Sequence, residues 1–319
     1  MNQISSTSSN ATLGALFMIG AGLAFAASNL LTPHITYGLG VPSTAVVFWQ
    51  YIVATIFALP LILRIGLPAL KTRHPLLHEW RAFVSALGVQ VFAFGFASGV
   101  PVWQMVALTM TGPFFIIAGA TLFLGERLTP QRLLAAIVGF AGAVLVSEVG
   151  TGAFTWASLL PVLAAALWGT ASVLTKYLSR DEAPESLTLY MLVLITPNHL
   201  LIGLVLGLLV VAFPGLLPGS LAQGFDFVPP GGEALWLIVL LGLVTIGAQY
   251  CLSLAYKVAD ATYLQPFDDL KLPLNTLLGW IVLSQVPSLW FWPGAALIIA
   301  ASSFLYWTES GRRRRLAAA

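Results

Sequence analysis

Apolar stretches of twenty or so residues recur along the chain, separated by short joints that hold most of its charges, prolines and glycines. A helix rises 1.5 Å per residue, so roughly 20 apolar residues span a hydrocarbon core of about 30 Å. Ten segments reach that length: 13–35, 44–66, 82–100, 102–124, 130–148, 156–178, 187–213, 233–256, 261–284 and 288–308. Thr129-Pro130 reads as an N-cap followed by proline at the first helical position, which starts the fifth segment. Pro214, Pro218, Gly219 and the run Pro229-Pro230-Gly231-Gly232 mark the longest joint, between the seventh and eighth. The pattern predicts an all-α membrane protein with ten transmembrane helices.

Charge adds an orientation. Arg64, Lys71, Arg73 and Arg81 fall at or between the facing ends of segments 2 and 3, Arg127 and Arg132 at those of 4 and 5, Lys176 and Arg180 at those of 6 and 7, and Lys257 between 8 and 9. The alternate joints contain no Lys or Arg, and Arg312 to Arg315 follow the last segment. The positive-inside rule therefore puts both termini in the cytoplasm, with residues 1–12 as a polar N-terminus and 309–319 as a basic tail. Met1 to Thr12 lacks the basic start of a signal peptide, so the first segment is read as a retained helix. The expected location is the inner (plasma) membrane, as a multi-pass protein.

Composition narrows the function. Only 8% of residues are charged and 58% are hydrophobic, against roughly 25% charged in a soluble domain. Such a surface must face lipid. A net charge of +2 without a basic stripe gives no nucleic-acid partner. Cys251 is the only cysteine, which excludes a disulfide framework and a cysteine metal site. No P-loop is present, so no nucleotide or other cofactor is expected.

Sliding the chain along itself by 159 residues aligns Gly88-Val89-Gln90 with Gly247-Ala248-Gln249, and Leu124-Gly125-Glu126 with Leu283-Ser284-Gln285. Segments 3–5 then lie over segments 8–10. Five spans separate the copies, so the second enters the membrane from the opposite side. The expected architecture is two inverted five-helix repeats, 13–148 and 156–308, with a site near the midplane.

Phe123-Leu124-Gly125-Glu126-Arg127-Leu128-Thr129, followed by Gly139-Phe140-Ala141-Gly142, resembles the helix 4–5 junction of the drug/metabolite transporter superfamily. Phe267-Asp268-Asp269-Leu270-Lys271-Leu272-Pro273, running on through Leu278-Gly279-Trp280 to Pro293-Gly294-Ala295, is similar to the same superfamily, nearest to its EamA-like family. The resemblance implies two five-helix repeats and transport of amino acids, nucleosides, vitamins, cofactors or other metabolites, outward or inward. It also implies an acid and a base in the ninth helix. Two positions depart from the family pattern: Gln50 stands where an arginine is common, and Ser284-Gln285 replaces a Gly-Glu pair.

Polar residues inside the spans are the candidate site. Asp268, Asp269 and Lys271 lie near the middle of the ninth, where each charge costs roughly 2.5–3.5 kcal/mol on insertion scales. Asp268 and Lys271 share a face that Asn275 extends, while Asp269 is turned away by about 100°. Pro266 and Pro273 bracket them and weaken the local helix. Two readings stand: a self-neutralising Asp–Lys lock, or Asp268 or Asp269 as the group that binds a cation or a coupling proton. Asn29, Gln50, Gln90 and Gln249 sit at similar depth, as ligand contacts or interhelical hydrogen bonds. Trp49 and Trp168 are the deep tryptophans suited to stacking on a substrate, while Trp80, Trp156, Trp236, Trp290, Trp292 and Trp307 fall at span ends. Glu126 is expected to pair with nearby arginines. The run His74, His78, Glu79 reads as a solvated juxtamembrane segment rather than a metal site.

The function expected is secondary transport of a small organic solute by alternating access, coupled to protons or to solute exchange, with one chain sufficient and a dimer also compatible. The alternatives are an intramembrane enzyme using Asp268 and Asp269, or a non-transporting sensor or assembly subunit. The enzyme reading is weak because adjacent helical residues diverge and no histidine is counted inside the spans.

Overall fold

In lipid a backbone can bond only to itself, so each apolar stretch must become helix. The computed structural model describes residues 2–66, 71–151, 153–217, 221, 228–259, 264 and 267–318, with side chains described outside 2–11, 184–185, 256 and 309–318. Its long elements are α1 (Asn2–Pro33), α2 (Ser43–Ile65), α3 (Pro75–Ala97), α4 (Val102–Thr109), α5 (Gly112–Leu124), α6 (Pro130–Val146), α7 (Leu160–Leu178), α8 (Pro184–Ala212), α9 (Gly232–Val258), α10 (Lys271–Leu283) and α11 (Phe291–Ala318). A π-helical turn, His34–Gly38, prolongs α1. Among the described residues eight helical segments are long and apolar enough to cross a membrane, α4 and α5 counting as one. A shorter apolar helix, Pro130–Val146, joins them.

Several boundaries differ from those expected. α1 begins at Asn2 rather than near residue 13, because a formed helix propagates cheaply through polar residues beyond the membrane. α3 begins at Pro75 rather than 82, placing His78 and Arg81 inside it, both buried. The expected fourth span is broken between α4 and α5 at Met110 and Thr111. Pro113 has no N–H to give the Thr109 carbonyl, and the Thr109 and Thr111 hydroxyls instead bond back to the Val106 and Leu108 carbonyls at 2.8 and 2.6 Å. The start of the ninth span, Pro266 included, falls outside the described residues apart from Leu264. Beyond it, residues 267–269 form one helical turn, Leu270 leaves the helix, and α10 starts at Lys271. α11 carries the helix through the arginine tail to Ala318.

Features 159 residues apart match locally. The break at 110–111 corresponds, with an offset of 159, to that at 270. α5 ends on Gly125 at φ 68° and α10 on Ser284 at φ 55°, both left-handed. The next N–H in each case, of Glu126 or Gln285, returns to Ala120 or Gly279. Glycine takes that conformation freely, whereas Ser284 adopts it at a cost.

The main packing partners join first-half helices to second-half helices: α1 with α9, α3 with α7, α2 with α8 and α9, α6 with α11. α6 and α11 cross at two glycines. A Cβ on Gly142 would lie 2.6 Å from the Gly294 carbonyl oxygen, and one on Gly294 2.7 Å from that of Gly142. Phe96, Trp103, Met105, Leu108, Leu272, Phe291 and Ile298 form the largest buried cluster around α4. Outward faces stay apolar, as at Leu63, Phe123, Val211 and Trp236, and the six tryptophans expected at span ends are all exposed.

Ion pairs and caps group the joints into two ends. Glu126 after α5 meets Arg132 of α6 and Lys176 at the end of α7. Glu182 before α8 meets His78 of α3, and Asp181 meets His74. At the other end His34 lies 3.7 Å from Glu233, and the Gln285 side-chain oxygen accepts the Val102 N–H at 2.8 Å, capping α4. The three basic joints after α2, α5 and α7 thus collect together.

The glycine crossing carries a prediction. Gly294→Leu must push α6 and α11 apart because the obstacle is backbone; thermal unfolding in detergent is expected to show a loss of about 1–3 kcal/mol. A substitution to Leu at nearby exposed Trp292 is expected to leave the melting temperature close to that of the wild type.

Candidate functional site

The break before α10 gathers the charges. The Lys271 ammonium donates to Asp268 at 2.8 Å, with side-chain exposures of 30% and 27%, so the pair is not sealed. One turn on, the Asn275 amide donates to the Lys271 carbonyl at 2.6 Å, and its side-chain oxygen accepts from Asn29 of α1 at 3.0 Å. Asp268, Lys271, Asn275 and Asn29 therefore form one polar chain from α10 to α1. Asp269 points elsewhere, as its rotation predicts, and accepts from Ser303 of α11 at 3.0 Å while 7% exposed. A groove of about 290 Å³ runs between α1 and α10, lined by Lys271 and apolar residues including Ile19, Leu23, Leu274 and Leu277. The lysine stem contributes to an apolar wall while its head reaches Asp268.

The other polar residues separate into bonded and unbonded. The Gln50 amide donates to Thr245 at 2.8 Å and joins α2 to α9. The Trp168 ring donates to the Ser85 carbonyl at 3.3 Å and packs where Gly88 lacks a side chain. It is a joint between α3 and α7. Gln249 is exposed on α9 whereas Gln90 is buried on α3, so the repeat-related glutamines differ in surroundings. Both amide atoms of Gln90, the Trp49 ring nitrogen, the Asn198 oxygen and both ring nitrogens of His199 are buried with no hydrogen-bond partner among the described residues. Leaving such a group unpaired costs roughly 1–3 kcal/mol, so this cluster needs a reason.

His199 corrects the count of membrane histidines. It lies in α8, fully buried, beside Pro197, with its ring 4.5 Å from that of Tyr51. Its signal was a polar ring within an apolar run. His78 is a second correction: it is fully buried rather than solvated, 2.6 Å from Glu182 and stacked at 4.0 Å on Tyr190, whereas Glu79 is exposed. Among the described residues no group of three potential metal ligands occurs.

Comparison with known proteins settles the class. The model of the EamA-like transporter family matches residues 12–148 and 155–307. The chain belongs to the EamA-like transporter family. It is therefore a transmembrane transporter of a small organic solute, which removes the enzyme and sensor alternatives. A riboflavin transporter of Rhizobium johnstonii is 46% identical over 96% of this chain and 95% of its own length. A riboflavin transporter of Vibrio cholerae is 38% identical over 95% of each. An S-adenosylmethionine uptake transporter of Rickettsia felis is 26% identical over 85% of each. One crystal structure shares the fold, with a TM-score of 0.53 at 18% identity over 97% of this chain and 98% of that one.

Both departures from the EamA-like pattern have structural work. Gln50 holds Thr245, and Gln285 caps α4 across the two halves.

Two measurements follow. Lys271→Ala leaves an acid without its base, so it is expected to lower thermal stability by about 3–5 kcal/mol, while Lys271→Ala with Asp268→Asn recovers most of that loss. Equal loss in the single and double variants would remove the pairing. Outside the membrane, the Lys176 hydrogen bond holds the Glu126 carboxylate below its ordinary pKa against the opposing effect of burial, with Arg132 adding to the depression. A depressed carboxylate stabilises above its unfolded pKa and loses that effect as pH falls through its folded value. Glu126→Gln is thus expected to cost at most about 1 kcal/mol at neutral pH, the difference vanishing on acidification below the usual carboxylate range in a melting series.

Proposed function

We propose that this protein is a secondary transporter of riboflavin or a closely related ring-containing vitamin. The observation that carries this reading is identity of 46% and 38%, over nearly the whole chain, to two riboflavin transporters. Identity to an S-adenosylmethionine transporter is 26%.

The transport cycle is alternating access between two inverted five-helix repeats, 13–148 and 156–308, giving ten spans with both termini in the cytoplasm of a cell with this inner membrane. Supporting this are the two stretches matched by the family model, the paired breaks at 110–111 and 270, the matched ends at Gly125 and Ser284, and the two groups of joints. α1 on α9 and α3 on α7 are the same contact with the halves exchanged. Exchange of packing across such contacts is how repeats rock around a midplane site. One chain contains both halves, so a monomer suffices.

The polar chain of Asp268, Lys271, Asn275 and Asn29 forms one wall of the pathway, with Gln90, Gln249 and Trp49 on others. Asp268, partly exposed beside its lysine, is the acid available to a proton or solute. Asp269, turned to Ser303, anchors α11. Gln50 and Trp168 position helices around the site. The driving force is a proton gradient or solute exchange, without nucleotide.

The test is uptake of labelled riboflavin into proteoliposomes containing the purified protein. Saturable uptake that unlabelled riboflavin suppresses, and S-adenosylmethionine does not, is expected. Uptake of S-adenosylmethionine with none of riboflavin would overturn the substrate assignment.

A further inference from the structure

Two helices bring unpaired polar side chains to one apolar cluster, which a third completes. Phe83, Ala86 and Leu87 of α3, Met191, Ile195, Ile202 and Leu206 of α8, and Tyr51 of α2 make one apolar cluster. Side chains three and four residues apart share a helix face. Gln90 is the next member of the α3 stripe, and Asn198 with His199 fills the gap between Ile195 and Ile202 on α8.

Helix direction sets how they follow the cluster. α3 and α8 start at the same end, where the Arg81 guanidinium donates to the Leu187 carbonyl at 2.5 Å. Farther along, Ala86 and Ile195 belong to the same cluster. Four residues beyond each stand Gln90 and His199, so both extend the cluster in the same direction. From α2, Thr55 meets Thr196 at 2.8 Å, which places Tyr51 one turn farther along, where its ring meets His199.

Exposure is 5% at Gln90, 1% at Asn198 and 0% at His199. The Asn198 amide is committed to the Leu194 carbonyl at 3.0 Å, but its oxygen, both Gln90 atoms and both His199 nitrogens have no hydrogen-bond partner among the described residues. A glutamine amide offers a donor beside an acceptor, and a neutral imidazole offers one donor and one acceptor. Together, Gln90 and His199 offer donor, acceptor and donor. That sequence complements a cyclic imide, which presents carbonyl, N–H and carbonyl along one edge.

We propose that Gln90 and His199 recognise the imide edge of a planar heterocycle, with Tyr51 holding the imidazole in place and the Asn198 oxygen accepting from a substrate hydroxyl. This assignment rests on the riboflavin reading, since the flavin ring carries such an edge and its ribityl chain carries hydroxyls. Gln90 takes the imide N–H and one carbonyl, and His199 donates to the other carbonyl. A buried site made to hydrogen-bond its substrate discriminates strongly against a ligand that leaves those groups unpaired.

The experiment compares riboflavin with its N3-methyl derivative, which blocks only the imide N–H, by flavin fluorescence quenching on the protein in nanodiscs. The wild type is expected to bind riboflavin about 10- to 100-fold more tightly than the methylated ring. Gln90→Met and His199→Phe, which preserve bulk, are expected to weaken riboflavin at least about 10-fold, and Gln90→Met is expected to abolish discrimination against the methyl group. Equal binding of both ligands by the wild type would overturn the edge site alone and needs no variant to fold. Discrimination persisting in Gln90→Met would do the same. No riboflavin binding by the wild type would overturn the vitamin reading and this assignment with it.

Discussion

Lipid offers no hydrogen bond, and the architecture is organised by that constraint. A continuous helix satisfies its own backbone, so it crosses freely; an interrupted one must sit against protein or water. Among the described residues the helical path breaks at Met110-Thr111 and at Leu270. Threonine hydroxyls turn back onto the Val106 and Leu108 carbonyls at the first, and the acids and lysine gather at the second. The breaks are where the backbone departs from a uniform rod, and the polar chain from Asp268 to Asn29 grows out of one of them.

The same constraint divides polar side chains into two kinds of work. Bonded ones fasten helices: Gln50 to Thr245, Asp269 to Ser303, Trp168 to Ser85. Around α2, α3 and α8 buried polar groups instead remain unpaired. A transporter must hold its halves together and must also admit a solute, and the bonded set answers the first demand. Glycines serve the first, letting α6 and α11 meet at backbone contact through Gly142 and Gly294. Polar caps serve it too, since Gln285 ends one half on the first turn of α4 in the other.

Much of this was legible in the residues. The spacing of Asp268, Lys271 and Asn275 foretold their shared face, and the divergence of Asp269 followed from helical rotation. Charge alternation anticipated which joints meet. Trp168 and Gln50 were visible as deep polar residues, but whether each met a substrate or a neighbour depended on helices far away in sequence. His199 was overlooked because a lone histidine in an apolar run has no local partner to draw attention to it. His78 was misread because sequence placed it in a wet joint, whereas Glu182, 104 residues away, holds it inside.

By itself the sequence determined that this is a helical membrane protein, where most helices lie and that Asp268 and Lys271 share a face, because hydrophobic period and helical rotation act over one or two turns. Only tertiary structure decided which polar groups are spent on packing and which glycines touch. Those outcomes depend on contacts between segments distant in sequence, 34 residues apart for Asp269 and Ser303 and 195 for Gln50 and Thr245, and no local pattern encodes a partner at such distances.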